Sequence, residues 1–139
     1  EAAIAPVEGT AEGIIVADLA IVQWKHLLRE PFRLTIKAGK VVDVSGSVQD
    51  SKRLREMTAT DENASNVAEL GIGTSHIIPL PILGIRRDAA RIGTAHIGIG
   101  RNDDIGGATW SRIHVDALID RAAIELDDHC VLRDGALQI

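Results

Sequence analysis

Residues 93–116 read GTAHIGIGRNDDIGGATWSRIHVD and predict two strands of a central sheet. Successive side chains of a β-strand point to opposite faces, so a strand at the start of this stretch has two different faces. One face is aliphatic and consists of alanine and isoleucine, while the other carries His96 beside Gly98 and Gly100. The pattern predicts a strand whose aliphatic face packs into the core and whose opposite face presents one imidazole on an almost bare surface.

The end of this stretch, Ile113-His114-Val115-Asp116, alternates in the same way. The spacing places His114 and Asp116 on one strand face, while the two aliphatic residues point into the core. Imidazole and carboxylate groups are ligands of first-row transition metals, and a histidine–x–aspartate pair offers two of them close together. Such a pair alone more often marks a polar strand edge with unrelated histidines. Combined with His96 and its neighbouring glycines, the pattern fits a metal site as well as it fits a polar edge.

A further carboxylate interrupts an aliphatic run at residues 67–73, VAELGIG. The alternation predicts that Glu69 shares its strand face with Gly71 and Gly73. A carboxylate on a buried strand is costly unless it is solvated, paired or bound to a metal. Glycine inside a strand often marks the close approach of a ligand or of another backbone. Glu69 is therefore predicted to belong to the site.

The remaining chain predicts a hairpin, short strands and a few helices. Phe32 to Ile36 and Val41 to Val44 are β-rich and are joined by a turn that contains glycine, which indicates a β-hairpin. Residues 20–28 fit either a helix or a strand. Helices are predicted at residues 47–57, 60–63 and 86–92, and short strands at residues 2–5, 14–16, 122–126, 130–132 and 136–139.

We therefore expect an α+β fold in a single domain over residues 1–139. It should contain a mixed sheet of mostly short strands, with two or three helices between Ser47 and Ile92. The strands that bear Glu69, His96 and His114 should converge on one cleft through their glycine-rich faces.

Composition restricts the class of partner. The net charge of −5 gives no electrostatic basis for binding nucleic acid or an anionic membrane. No apolar run approaches the roughly 20 residues that a membrane-spanning helix needs. The single cysteine, Cys130, cannot form an internal disulfide, which fits a reducing cytoplasm. We therefore expect a cytoplasmic protein that binds neither nucleic acid nor membrane.

The motifs occur in an order that resembles a known family. The chain is similar to the C-terminal half of the metal-dependent aminopeptidases of peptidase family M29, and more closely to the branch around them that includes the 2,5-dihydroxypyridine dioxygenases. The resemblance covers nearly the whole chain. It rests on E-x-x-x-A-P at residues 1–6, D-E-N-A-x-N-x-A-E-L-G-I-G-T at 61–74, G-T-x-H-I-x-I-G at 93–100, a Gly-Gly pair before H-x-D, and a final D-G.

The resemblance also implies metal ligands. In the aminopeptidases, two divalent metals are held by two glutamates, two histidines and an aspartate, with a tyrosine close by. The matching ligands of this chain are Glu1, Glu69, His96, His114 and Asp116. The tyrosine has no counterpart, and Asp103 stands roughly in its place. The resemblance further implies a homodimer and a separate domain ahead of Glu1, so that residues 1–139 correspond to the C-terminal metal-binding domain of a longer two-domain protein.

Three functions fit this ligand set. The leading expectation is a hydrolase of the M29 aminopeptidase type, in which zinc, cobalt or manganese activates water against a peptide or amide bond. There, Glu69 or Glu1 would bridge the metals or act as the general base. The alternative is a mononuclear iron(II) ring-cleaving dioxygenase that uses His96, His114 and Asp116 on a small aromatic substrate. The third is a non-catalytic binding or assembly module.

Overall fold

The computed structural model of the protein describes residues 1–138. Its helices are a 3-10 helix (Val22–Trp24), α1 (Val48–Thr58) and α2 (Arg86–Ala89). Its strands are β1 (Ala2–Ile4), β2 (Gly13–Ala17), β3 (Ala20–Ile21), β4 (Phe32–Lys37), β5 (Lys40–Ser45), β6 (Val67–Ile72), β7 (Thr94–Gly100), β8 (His114–Asp120), β9 (Ile124–Leu126), β10 (His129–Arg133) and β11 (Ala136–Leu137).

Five strands form the central sheet, in the order β1-β6-β7-β8-β3. Every neighbouring pair in this sheet is antiparallel. The alternation along β6, β7 and β8 gives the sheet one aliphatic face and one polar, glycine-rich face. Because β7 lies between β6 and β8, the three strands predicted to carry ligands stand side by side.

A second sheet packs on the aliphatic face of the central sheet. Its order is β2-β4-β5, and it contains the predicted hairpin. The two turn residues, Ala38 and Gly39, have φ angles of 49° and 73°. Positive φ at both positions is the requirement of a type I′ turn, whose twist matches that of the two strands. Side chains of both sheets form the main core, which includes Phe32, Leu34, Val44, Leu54, Ile99, Val115 and Ala117.

A third sheet, in the order β11-β10-β9, follows the central sheet in the chain. Leu132 is fully buried and packs with Ala95 and Ala122 in a smaller hydrophobic cluster. This sheet therefore shares its core with the central one. The strand predicted over residues 136–139 ends at Leu137, and Ile139 lies outside the described residues.

The expected α+β class is confirmed, but two local predictions were wrong. Residues 60–63 form turns rather than a helix. The Asp61 carboxylate accepts hydrogen bonds from the Ser111 hydroxyl and from the Arg112 N–H, both at 2.9 Å, and so anchors the segment that leads into β8. The helix expected over residues 86–92 covers only Arg86–Ala89. Residues 20–28, which fitted either state, form β3 and the 3-10 helix.

Helix α1 begins where the sequence predicts, because Ser47 caps it. The Ser47 hydroxyl oxygen accepts the Asp50 N–H at 3.3 Å, which satisfies one of the free donors of the first turn. Among residues 1–138, none of the helices has the length and apolar character that crossing a membrane requires.

Candidate metal centre

Glycine stands opposite the predicted ligands of the central sheet. The register pairs His96 with Gly71, and it pairs Gly98 with both Glu69 and Asp116. A methyl group at Gly71 would lie 2.0 Å from His96 Cε1, and one at Gly98 would lie 2.7 Å from Glu69 Cβ. The two glycines therefore leave the space that the imidazole and the carboxylate occupy.

The Glu69 carboxylate lies between two imidazoles. Its Oε1 is 3.2 Å from His96 Nε2, and its Oε2 is 3.1 Å from His114 Nε2. His114 Nε2 also lies 2.9 Å from Asp116 Oδ1. Within residues 1–138, two groups have three ligand atoms within 4.8 Å of one another: Glu69 with His114 and Asp116, and Glu69 with His96 and Glu1. The structure brings all five sequence-predicted residues together, with Glu69 common to both groups.

This arrangement differs from the set expected for a dioxygenase. In the described part of the chain, neither compact group contains both imidazoles, and Glu69 is the residue that the two groups share. Glu69, His96 and Asp116 are buried, His114 is half-buried, and Glu1 is exposed at the edge of the sheet. The buried donor set consists of imidazole nitrogen and carboxylate oxygen, which suits a divalent first-row metal.

Backbone contacts orient the His114 ring. Its Nδ1 lies 2.8 Å from the Arg101 carbonyl oxygen, which can only accept, so Nδ1 carries the proton of this bond. The other nitrogen, Nε2, is thereby directed at the two carboxylates. Metal-binding histidines usually have such a partner on the ring nitrogen that does not bind the metal. His96 differs, because its buried Nδ1 has no hydrogen-bond partner among the described residues.

The protonation of Glu69, His96 and His114 depends on their neighbours in the site. Hydrogen bonds from His114 and then His96 lower the pKa of Glu69 to about 2, against the effect of burial. Hydrogen bonds to Asp116 and then Glu69 raise the pKa of His114 to about 10. Burial opposes protonation of His96, but the neighbouring carboxylates together raise its pKa. In protein stripped of metal, the centre is therefore a charged cluster of imidazolium and carboxylate groups.

We predict that the metal-stripped protein is most stable between about pH 4.5 and pH 6.5. The pKa of Glu69 is lowered from 4.5 to about 2 by folding, so its contribution is present above 4.5 and is lost as the pH falls towards 2. The pKa of His114 is raised from 6.5 to about 10, so its contribution is present below 6.5 and is lost as the pH rises through 10. Urea unfolding of metal-stripped protein across the pH range measures this. A stability that still rises between pH 7 and pH 10 would contradict the charged cluster.

A cavity of about 250 Å³ opens over these ligands. Its walls include Val22, Gln23, Arg86 and Ala89, which the sequence did not single out, and also Asp104 and Ile105 from the loop between the two ligand strands. Asp104, rather than Asp103, faces the cavity. Asp103 instead forms a two-pronged ion pair with Arg101, at 2.9 and 3.0 Å. A larger cavity of about 670 Å³ lies between the segment around His26 and the start of α1, away from the ligands.

Glu8 holds the loop that brings Asp104 to the cavity. Its carboxylate accepts hydrogen bonds from the Asn102 side chain at 3.1 Å, from the Ala108 N–H at 3.0 Å and from the Thr109 hydroxyl at 2.8 Å. Burial raises the pKa of Glu8, but these hydrogen bonds outweigh it and hold the pKa below its ordinary value. The partners lie about a hundred positions from Glu8 in the chain, so no local pattern could have indicated them.

A family model described as NicX: 2,5-dihydroxypyridine 5,6-dioxygenase matches residues 2–139. The chain belongs to this family. A search of curated proteins found no match. Among solved structures, the chain is similar to the 2,5-dihydroxypyridine dioxygenase from Pseudomonas putida KT2440, with a TM-score of 0.82 and 24% sequence identity. The match covers 96% of this chain and 42% of that one, so the chain spans less than half the length of that protein. At this identity the likeness shows the NicX-family fold.

Membership of the NicX family corrects the leading functional expectation. The hydrolase of aminopeptidase type was wrong, because the family model and the similar structure both concern a dioxygenase. The resemblance to the dioxygenase branch is confirmed, whereas these comparisons give the M29 aminopeptidases no support. Histidine and carboxylate ligands serve hydrolytic and oxidative metals alike, so the ligand set alone could not separate the two chemistries.

Proposed function

We propose that this chain forms the metal-binding unit of a non-haem iron dioxygenase that opens the ring of 2,5-dihydroxypyridine or a closely similar dihydroxylated aromatic. The observation that carries the proposal is the buried ligand cluster beneath a cavity, in a chain of the NicX family. Glu69, His96, His114 and Asp116 would hold the metal. The homodimer and the separate N-terminal domain stay predictions from the resemblance.

Iron(II), when bound, would supply the one-electron chemistry that lets dioxygen react with an aromatic ring. The protein's own contribution is to hold the ligand side chains in position. The Arg101 carbonyl fixes the His114 tautomer, and Gly71 and Gly98 leave the ligands their space. The Glu69 carboxylate lies between the two imidazoles, 3.2 Å from His96 Nε2 and 3.1 Å from His114 Nε2, and so orients both rings.

The cavity walls suit a small, flat and polar substrate. Val22, Ala89 and Ile105 give apolar surface against which a ring can pack and from which water is displaced. Arg86 brings a positive charge to a rim that otherwise carries carboxylates, and a phenolate oxygen would complement it. Asp104, opposite in charge, can accept a hydrogen bond from a ring N–H or a hydroxyl group.

Oxygen consumption tests the proposed activity. We expect protein loaded anaerobically with ferrous iron to consume dioxygen when 2,5-dihydroxypyridine is added. About one molecule should be used per ring opened, because a dioxygenase inserts both oxygen atoms. The loss of the ring absorbance should follow the same time course. Asp116→Ala protein treated with iron in the same way serves as the control and should show neither signal. Iron-loaded protein that leaves 2,5-dihydroxypyridine unchanged would contradict this substrate.

A further inference from the structure

The pairing of β3 with the outer edge of β8 ends before it reaches the metal ligands. β3 pairs with β8 over only two residues, opposite Ala117 and Leu118, and the chain then turns into the 3-10 helix. Within residues 1–138, no strand lies beside this edge at His114 and Asp116. Alternate residues of a strand direct their backbone groups to the same edge, so the His114 carbonyl and the Asp116 N–H both face the gap.

The side chain of Gln23, in the middle of the 3-10 helix, occupies this gap. Its Nε2 donates to the His114 carbonyl oxygen at 2.8 Å, and its Oε1 accepts the Asp116 N–H at 3.2 Å. The reverse orientation of the amide would set donor against donor and acceptor against acceptor. One side chain therefore continues the hydrogen-bond ladder where β3 stops.

We propose that Gln23 is a positioning residue of the metal centre. Its amide holds the backbone of the two residues that present the His114 imidazole and the Asp116 carboxylate, and thereby sets the separation of their ligand atoms. The His114 ring is already fixed from its other side by the Arg101 carbonyl. With Gln23 in place, both the ring and the backbone that carries it are held. This inference rests on the metal site of the proposed function.

The hydrogen bonds of Gln23 reach the ligands through their backbone. Both go to main-chain groups of His114 and Asp116, so Gln23 acts on the metal through these two residues, while its side chain also lines the cavity. Groups that orient metal ligands typically change metal affinity by about 10- to 100-fold when they are removed. A loss in this range, with the fold retained, is what a positioning residue should show.

Cobalt(II) is a suitable probe, because its visible spectrum reports its coordination. We expect Gln23→Ala to weaken cobalt binding by about 10-fold or more and to shift the visible bands of the bound ion. Gln23→Met, which keeps the length of the side chain but has no amide, should do the same and provides a second variant if the alanine protein folds poorly. Gln49→Ala is the matched control, because Gln49 is an exposed glutamine on α1. Its affinity and spectrum should equal those of the wild type.

Amide hydrogen exchange tests the same contact without metal. Gln23 is the recorded acceptor of the Asp116 N–H, so this amide should exchange faster in Gln23→Ala than in the wild type. Unchanged cobalt affinity and spectrum in both Gln23 variants, with wild-type protein that binds cobalt, would overturn the inference alone. A lower thermal midpoint without a change in affinity would also overturn it, since Gln23 would then be merely structural. Wild-type protein that binds no cobalt would instead overturn the proposed metal site.

Discussion

Replacing His114 with alanine is expected to abolish metal binding. His114 Nε2 lies 3.1 Å from Glu69 Oε2 and 2.9 Å from Asp116 Oδ1, so its loss removes a member of one of the two ligand groups. Removing even an outer partner of a ligand costs about 10- to 100-fold in affinity, and removing a ligand should cost at least about 100-fold.

Titration with ferrous iron under anaerobic conditions measures this loss. His129→Ala is the control, because His129 is exposed on β10 and lies in neither ligand group. It should bind iron as the wild type does, and circular dichroism should show that both variants keep the fold. Unchanged iron affinity in folded His114→Ala protein would show that the ligand assignment is wrong.

Replacing Gly71 with alanine should displace His96 and destabilise the protein. The new methyl group would lie 2.0 Å from His96 Cε1 and 2.1 Å from His96 Nε2. His96 is only 2% exposed and lies on β7, the middle strand of the central sheet, so its ring cannot move aside without disturbing its neighbours. Overpacking of this kind typically costs about 1–3 kcal/mol of the free energy of unfolding. Metal affinity should fall together with stability, because the ring leaves the Glu69 carboxylate.

A double variant separates this steric effect from other causes. In Gly71→Ala/His96→Ala the methyl group has the space of the missing ring, so the double variant should be more stable than the sum of the two single changes predicts. Urea unfolding of the four proteins gives the coupling free energy. Strictly additive effects would show that the methyl group and the ring do not compete for space.

Strand alternation is local, so the sequence alone could indicate which candidate residues share a strand face. Residues two apart on a strand share a face, which was enough to place His114 with Asp116 and to set His96 among glycines. The aliphatic face of these strands packs in the main core, as the alternation predicts, but Glu69, His96 and Asp116 on the opposite face are buried as well. The position of Glu69 between the two imidazoles could not be predicted in this way. It depends on β6, β7 and β8 being neighbours, and therefore on pairings between distant segments.

Contacts between residues that are far apart in the sequence were not predicted. Gln23 is 91 positions from His114, and neither sequence neighbourhood indicates the contact. The prediction of a helix at residues 60–63 was wrong for the same reason. Asp61 has the chemistry of a helix start, but its carboxylate bonds to groups about 50 positions later in the chain. Tertiary contacts decided both cases, and local propensity is a weak guide where they compete.

The iron content of the reconstituted protein shows whether the proposed ligands form a metal site. Protein purified without a nickel column is incubated anaerobically with excess ferrous iron, separated from free metal and analysed for iron per mole of chain. We expect about one iron per chain in the wild type and almost none in His114→Ala, because a mononuclear site with histidine and carboxylate ligands binds one ion. Wild-type protein that retains no iron, or a His114→Ala variant that retains as much as the wild type, would contradict the proposed metal site.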